Sequence, residues 1–244
     1  MTRIVVLPDL AAVARLVATS ITGWLKQGVA ERGRAHLALG GGRTPAAVHA
    51  QLASLRADWR NVELWLGDER IANPRRSREG VARNIDLVRA TLVDRIGTPV
   101  GAVHAVPELS PEDAAASYAR EMAARLPEGR LDVAYLGLGP DGHTASLFPH
   151  APELAIETRG CAAVRDAPKP PPLRVTMTIG TLRSARHVII AATGADKAEA
   201  AARILGAPDR AFPASLLGAS LTELVLDEAA ASLCASELSE YRSV

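Results

Sequence analysis

Short apolar runs rich in β-branched residues alternate with longer amphipathic stretches along most of this chain, and that alternation restricts the fold more than any other feature. Residues 3–6 (RIVV) read as a strand, and 9–30 as a helix with Ala12, Leu16, Val17 and Ile21 at helical spacing. Strand 35–39, helix 45–55 and strand 62–66 follow. After an arginine-rich loop comes helix 81–96, with Val81, Ile85, Val88, Leu92 and Val93 along one face. Strand 102–105, helix 111–126 and strand 131–137 are next, then strands at 174–179 and 187–192, a helix at 195–205 and a last strand at 223–227. This order predicts an α/β fold: a mainly parallel, Rossmann-like sheet flanked by helices on both faces, with a few additional strands. No repeat or long linker interrupts it, and proline-rich 167–172 suits a stiff loop, so residues 1–244 are expected to form a single domain. Ligands of such sheets sit at the carboxyl ends of the strands, which directs attention to the loops that follow them.

Hydrophobic residues at 48% suffice for a large core, and aromatics at only 3% mean that Ala, Val, Leu and Ile must build it. Arginine supplies nearly all of the 28 basic residues, a skew that with the abundant alanine reads as bacterial base composition rather than function. The net charge of +1 gives no overall field toward nucleic acid or a membrane, so neither partner is expected and any anion site must be local. Cys161 and Cys234 lack CxxC spacing and read as free thiols. The N-terminus lacks a signal-peptide pattern, and no apolar run approaches the ~20 residues of a membrane span. A cytoplasmic protein, monomeric and without cofactor, is expected.

Four loops carry unusual chemistry. In Gly40-Gly41-Gly42-Arg43-Thr44-Pro45, glycines let backbone N–H groups approach a ligand, Thr44 is a suitable N-cap and Pro45 suits the first helical position. A helix N-terminus there favours an anion such as phosphate. It is neither a Walker loop nor GxGxxG. Asp68, Glu69 and Arg70 follow strand 62–66 directly; they are either a solvated turn or a site in which Arg70 grips a phosphate or carboxylate and Asp68 holds a hydroxyl or another arginine. In 136–149 (LGLGPDGHTASLFP), Asp141 and His143 stand two apart around Gly142, before what reads as a short helix. A histidine at a helix N-terminus has its cationic form disfavoured and can take a proton; Asp141 either orients it or opposes that effect. Last, Lys169 to Thr176 (KPPPLRVT) delivers Lys169 and Arg174 on a rigid loop to the start of a strand. His36, His49, His104, His150 and His187 show no metal-ligand spacing, and with no HExxH, cysteine cluster or GxSxG elbow a metal site is not expected.

Taken together, the loops resemble those of the 6-phosphogluconolactonases, within a superfamily that also holds glucosamine-6-phosphate deaminase and ribose-5-phosphate isomerase. GGRTP at 41–45, Asp68-Glu69-Arg70, the Gly-x-Gly-x-Asp-Gly-His-Thr-Ala-Ser-Leu-Phe-Pro run at 137–149, KPPPLRVTMTI, TGADKA at 193–198 and PASLL at 213–217 match in order over nearly the whole chain. Deaminases continue their Asp-Gly-His loop with isoleucine and a Phe-Asn-Glu-Pro run; Thr144 and the SLFP at 146–149 point to the lactonase side. Two positions depart from the common pattern, Arg43 in place of serine and Arg83 before Asn84 in place of serine.

The resemblance implies hydrolysis of 6-phospho-D-glucono-1,5-lactone, with His143 as general acid/base and Asp141 beside it. It implies a substrate-binding set of Gly41, Gly42, Arg43, Thr44, Asp68, Arg70, Asn84, Gly142, Lys169, Arg174 and Lys197, the last placed by resemblance alone. A strained sugar lactone is already an activated ester, so the reaction requires neither metal nor covalent nucleophile. The competing readings are a sugar-phosphate isomerase or deaminase, and a non-catalytic phosphosugar-sensing domain; against the latter, no separate helix-turn-helix or basic patch stands out.

Overall fold

The computed structural model describes residues 2–71 and 82–234. The arginine-rich stretch and Val81, taken above as the first residue of a helix, lie outside the described residues. Among the described residues, ten strands and six α-helices alternate much as the periodicity predicts. Seven strands form one all-parallel sheet: β1 (Arg3–Leu7), β2 (Ala35–Leu39), β3 (Val62–Leu66), β5 (Ala102–Val103), β6 (Val133–Gly137), β9 (His187–Ala192) and β10 (Leu221–Asp227). Their spatial order is β1-β10-β9-β6-β2-β3-β5. The remaining three, β4 (Asp68–Arg70), β7 (Cys161–Val164) and β8 (Arg174–Met177), make a small antiparallel sheet in the order β4-β8-β7.

The helices cover both faces of the parallel sheet, as expected of a doubly wound fold. On one face α1 (Leu10–Arg32), α2 (Arg43–Ser54) and α3 (Asn84–Thr91) bury Val17, Ile21, Val48, Leu52 and Val88 against Leu37, Leu64, Val133 and Tyr135. On the other, α4 (Pro111–Arg125), α5 (Ile179–Ser184) and α6 (Ala198–Ile204) pack Tyr118, Met122, Leu182 and Ile204 against Trp65, Ala134, Leu136 and Ile190. Within β6, Val133 and Tyr135 thus face one way and Ala134 and Leu136 the other, the period of two that a strand imposes. Among the described residues no helix is long and apolar enough to cross a membrane.

One open alternative is decided and two local expectations are corrected. Asp68-Glu69-Arg70 is not a solvated turn: β4 pairs with β8 in the register Asp68↔Thr176 to Arg70↔Arg174, and Asp68 and Glu69 are buried. No helix directly follows His143; the chain turns through a bridge between Thr144 and Leu147, with Ala145 at φ 49°, which a right-handed helix excludes. Thr44 does not cap α2, because the helix starts two residues earlier than expected, at Arg43, and Gly42, at φ 110°, holds the capping position. That backbone conformation suits glycine and puts Thr44 inside the first turn.

Candidate active site

Four adjacent central strands, β9-β6-β2-β3, end at the same rim, and the segments that leave them enclose a cavity of about 240 Å³. Leu39 runs into Gly40–Arg43, Leu66 into Gly67 and β4, Gly137 into the histidine loop, and Ala192 into Thr193. Every residue expected above to form the site lines this cavity except Asp141 and Gly142, which lie in the wall beside His143. Thr193, Ala145 and Gly139 also line it, unanticipated. Thr193 shares the position of the other lining segments, immediately after a parallel strand; its hydroxyl meets that of Thr44 at 2.8 Å.

The histidine loop is held from several sides. The Thr144 hydroxyl donates to the Gly137 carbonyl (2.9 Å), and Gly139 N–H donates to the His143 carbonyl (2.8 Å). His143 Nδ1 is hydrogen-bonded to the Asp141 carboxylate. A carboxylate only accepts, so Nδ1 carries the proton and Nε2 is the basic nitrogen. Of the two readings left open by sequence, the geometry is that of an orienting aspartate. Partial burial pushes the Asp141 carboxyl up, but the His143 hydrogen bond and the His143 and Lys169 charges outweigh it and hold it well below the ordinary carboxylate range. Lys169 Nζ lies 3.4 Å from both Asp141 Oδ2 and His143 Nδ1. Phe148 packs against the imidazole, with ring centroids 4.9 Å apart.

Buried Asp68 joins three segments. Its Oδ2 accepts from the Ser146 hydroxyl (2.6 Å), its Oδ1 accepts from the Asn84 amide (2.9 Å), and Arg174 Nη1 stands 4.0 Å away. The hydroxyl anticipated for Asp68 is therefore supplied by the protein, from Ser146, a residue the sequence did not single out. Glu69 accepts from the backbone N–H groups of Arg70, Asn84 and Ile85 at 2.7, 2.7 and 3.0 Å, which fixes the start of α3. Burial nevertheless pushes its carboxyl above the usual range.

The cations differ in their freedom. Arg174 is buried and donates to the Pro171 and Lys169 carbonyls (3.1 and 2.8 Å) and toward Ser146 Oγ (3.4 Å), so part of its fork holds the proline loop. Burial lowers its pKa against the pull of Asp68. Arg70 donates from Nη1 to the Ala82 carbonyl (2.6 Å), while its buried Nε has no partner among the described residues. Lys197 pairs with Asp196 at 3.0 Å, and Arg43 is exposed at the mouth. The first-turn N–H groups of α2, lacking intrahelical acceptors, open on the same cavity. Such a lining suits a compact anion held at one end of a polar substrate.

Comparison with known proteins agrees with this chemistry. A family described as glucosamine-6-phosphate isomerases/6-phosphogluconolactonase matches residues 8–226. The chain belongs to this family. Among its members, the 6-phosphogluconolactonase of Streptomyces coelicolor is 38% identical over 240 residues, covering 91% of this chain and 88% of that protein. The human 6-phosphogluconolactonase is 37% identical over 238 residues, with the same two coverages. In three dimensions, a 6-phosphogluconolactonase from Shewanella baltica superposes with a TM-score of 0.80 at 26% identity, over 93% of this chain and 97% of that one. Within this lactonase and isomerase family, the Thr144–Pro149 run serves structure in this chain: Thr144 ties the loop to β6, Ser146 ties it to Asp68, and Leu147 and Phe148 are buried.

Proposed function

We propose that this chain hydrolyses 6-phospho-D-glucono-1,5-lactone to 6-phospho-D-gluconate, the lactone-opening step of the oxidative pentose phosphate pathway. The observation that carries this reading is the Asp141–His143 pair, whose Nδ1–H to carboxylate bond leaves Nε2 as the base on a cavity bounded by Arg43, Arg70, Lys169, Arg174 and Lys197. Nε2 takes a proton from water as its oxygen attacks C1. The carbonyl π electrons move onto oxygen, and the tetrahedral intermediate then collapses with cleavage of the bond from C1 to the ring oxygen. The imidazolium returns its proton to that oxygen, and Asp141 stabilises the charged ring between the two transfers. The α2 N-terminus at 41–44, with Arg43, Lys197, Arg70 and Arg174, supplies positive charge for the phosphate, whose binding holds C1 near His143.

On the same reading the chain acts as a single-domain monomer in a bacterial cytoplasm, without nucleic-acid partners. The near-neutral net charge and the free Cys161 and Cys234 support this. The test is turnover of lactone generated in situ, corrected for spontaneous opening. His143→Ala is expected to lower kcat by about 10²–10⁴-fold, the usual worth of general acid–base assistance, with product affinity nearly unchanged. Wild-type rates in that variant would end the proposal. Ammonia release from glucosamine-6-phosphate would instead place the chain among the deaminases.

A further inference from the structure

We infer that Lys169 is a positioning residue that sets the proton balance of the Asp141–His143 pair, rather than a ligand of the substrate phosphate. The inference rests on the hydrolytic reading for its meaning, though not for its test. Lys169 Nζ stands 3.4 Å from Asp141 Oδ2, 3.5 Å from Asp141 Oδ1 and 3.4 Å from His143 Nδ1. Because Nδ1 already carries the proton shared with Asp141, the contact between Nζ and Nδ1 is a juxtaposition of charge and not a hydrogen bond. The backbone beneath Lys169 is fixed as well. Arg174 donates to the carbonyls of Lys169 and Pro171, and Ala167 N–H donates to that of Pro172 (3.1 Å). The backbone from which the side chain springs is thereby fixed beside the pair.

The other cations of the cavity are placed elsewhere: Lys197 with Asp196, Arg70 with the Ala82 carbonyl, and Arg43 at the mouth. The Arg174 guanidinium lies over the Phe148 ring at 5.4 Å, and it is that ring which packs against the imidazole. On the outer side of Asp141 a second hollow is lined by Glu112, His150, Glu153, Arg165 and Asp166. Glu112 and Arg165 pair at 2.7 Å, so among the described residues Lys169 is the cation in direct contact with the dyad.

Its effect has a definite sign. The Asp141 carboxylate alone stabilises a protonated His143, which would occupy the base with a proton and make it a weaker acid. The Lys169 ammonium shares that carboxylate and repels a charged imidazole. The imidazolium formed during turnover therefore gives its proton more readily to the ring oxygen.

The experiment is an NMR titration of the His143 imidazole in the resting enzyme, assigned by loss of the signal in His143→Gln, for wild type, Lys169→Met and Lys169→Arg. Lys169→Met is expected to raise the titration midpoint and the acid limb of kcat/KM by about one pH unit. Lys169→Arg is expected to stay near wild type, and affinity for inorganic phosphate to change less than about threefold in both. The side chain is 44% exposed, so folding is expected to survive, and Lys169→Gln repeats the test should Met perturb packing. An unmoved midpoint, with the defect appearing as weakened phosphate binding and raised KM, would overturn the inference in favour of a phosphate ligand. Were wild type inactive on the lactone, the hydrolytic reading would fail while the midpoint still decided the role of Lys169.

Discussion

Gly139 offers the sharpest test of how closely the catalytic pair is seated. A Cβ built at this position falls inside the van der Waals envelope of His143 Nδ1 and Cε1, and 2.5 Å from Asp141 Oδ1. Ordinary contact begins near 3.4 Å, so in Gly139→Ala the carboxylate must withdraw by about 0.9 Å and the imidazole further. Catalytic groups tolerate about 0.5 Å of displacement, and misplacement of about 1 Å costs on the order of 10²-fold. The expected result is a fall in kcat/KM of about 100-fold, equivalent to roughly 2.7 kcal/mol of transition-state stabilisation. Stability should hardly register the change. Gly139 is not among the residues at positive φ, and off-rotamer shifts of two partly exposed side chains cost about 0.5–1.5 kcal/mol, a few degrees of Tm for a chain of this size. The assay pairs lactone turnover with thermal unfolding. A folded Gly139→Ala enzyme within threefold of wild type would show that the pair does not require this seat, and a collapse of Tm would show that the loop, not the pair, is what glycine protects.

Two further substitutions probe groups away from the reacting centre. Asp68→Ala removes the carboxylate that accepts from the Ser146 hydroxyl and the Asn84 amide and that faces Arg174, and should cost about 3 kcal/mol in urea unfolding with Asp68→Asn costing less than half as much; equal losses would assign the effect to charge alone. His49 is fully buried in α2, where burial pushes its imidazole down to about 3. The unfolded chain, titrating near 6.5, then binds the extra proton, so stability falls by about 1.4 kcal/mol per pH unit as pH drops below about 6.5. His49→Gln should therefore lose about 2 kcal/mol less than wild type between pH 7 and 5, and parallel losses would refute the assignment.

What the sequence disclosed follows from the range of the interactions involved. The parallel strands and most helices were legible because Val-, Ile- and Leu-rich runs and helical spacing are local patterns. The small sheet was only partly so. β8 falls inside the expected strand 174–179, but β7 is the alanine-rich CAAV, half-buried and weak in strand preference, and it exists because α4 and β8 cover it. β4 looked like a charged turn because its two carboxylates are satisfied by residues far along the chain, Ser146 and Asn84 for Asp68, and Asn84 and Ile85 for Glu69. At the site, glycine spacing and the Asp-Gly-His run located the loops. The contact of Lys169 with Asp141 and His143 depends on a fold-back of the proline loop that no spacing rule encodes.

The strand order carries a consequence for the making of the protein. β1 sits at an edge of the sheet and among the described residues its one strand partner is β10, so β1 has no such partner until Leu221–Asp227 has left the ribosome. At about 5–20 residues per second, the nascent chain carries its unpaired Ile4-Val5-Val6-Leu7 segment for roughly ten to forty seconds. During that interval β1 is a sticky segment in need of shielding, and a truncation that removes β10 would leave it unsheltered for good.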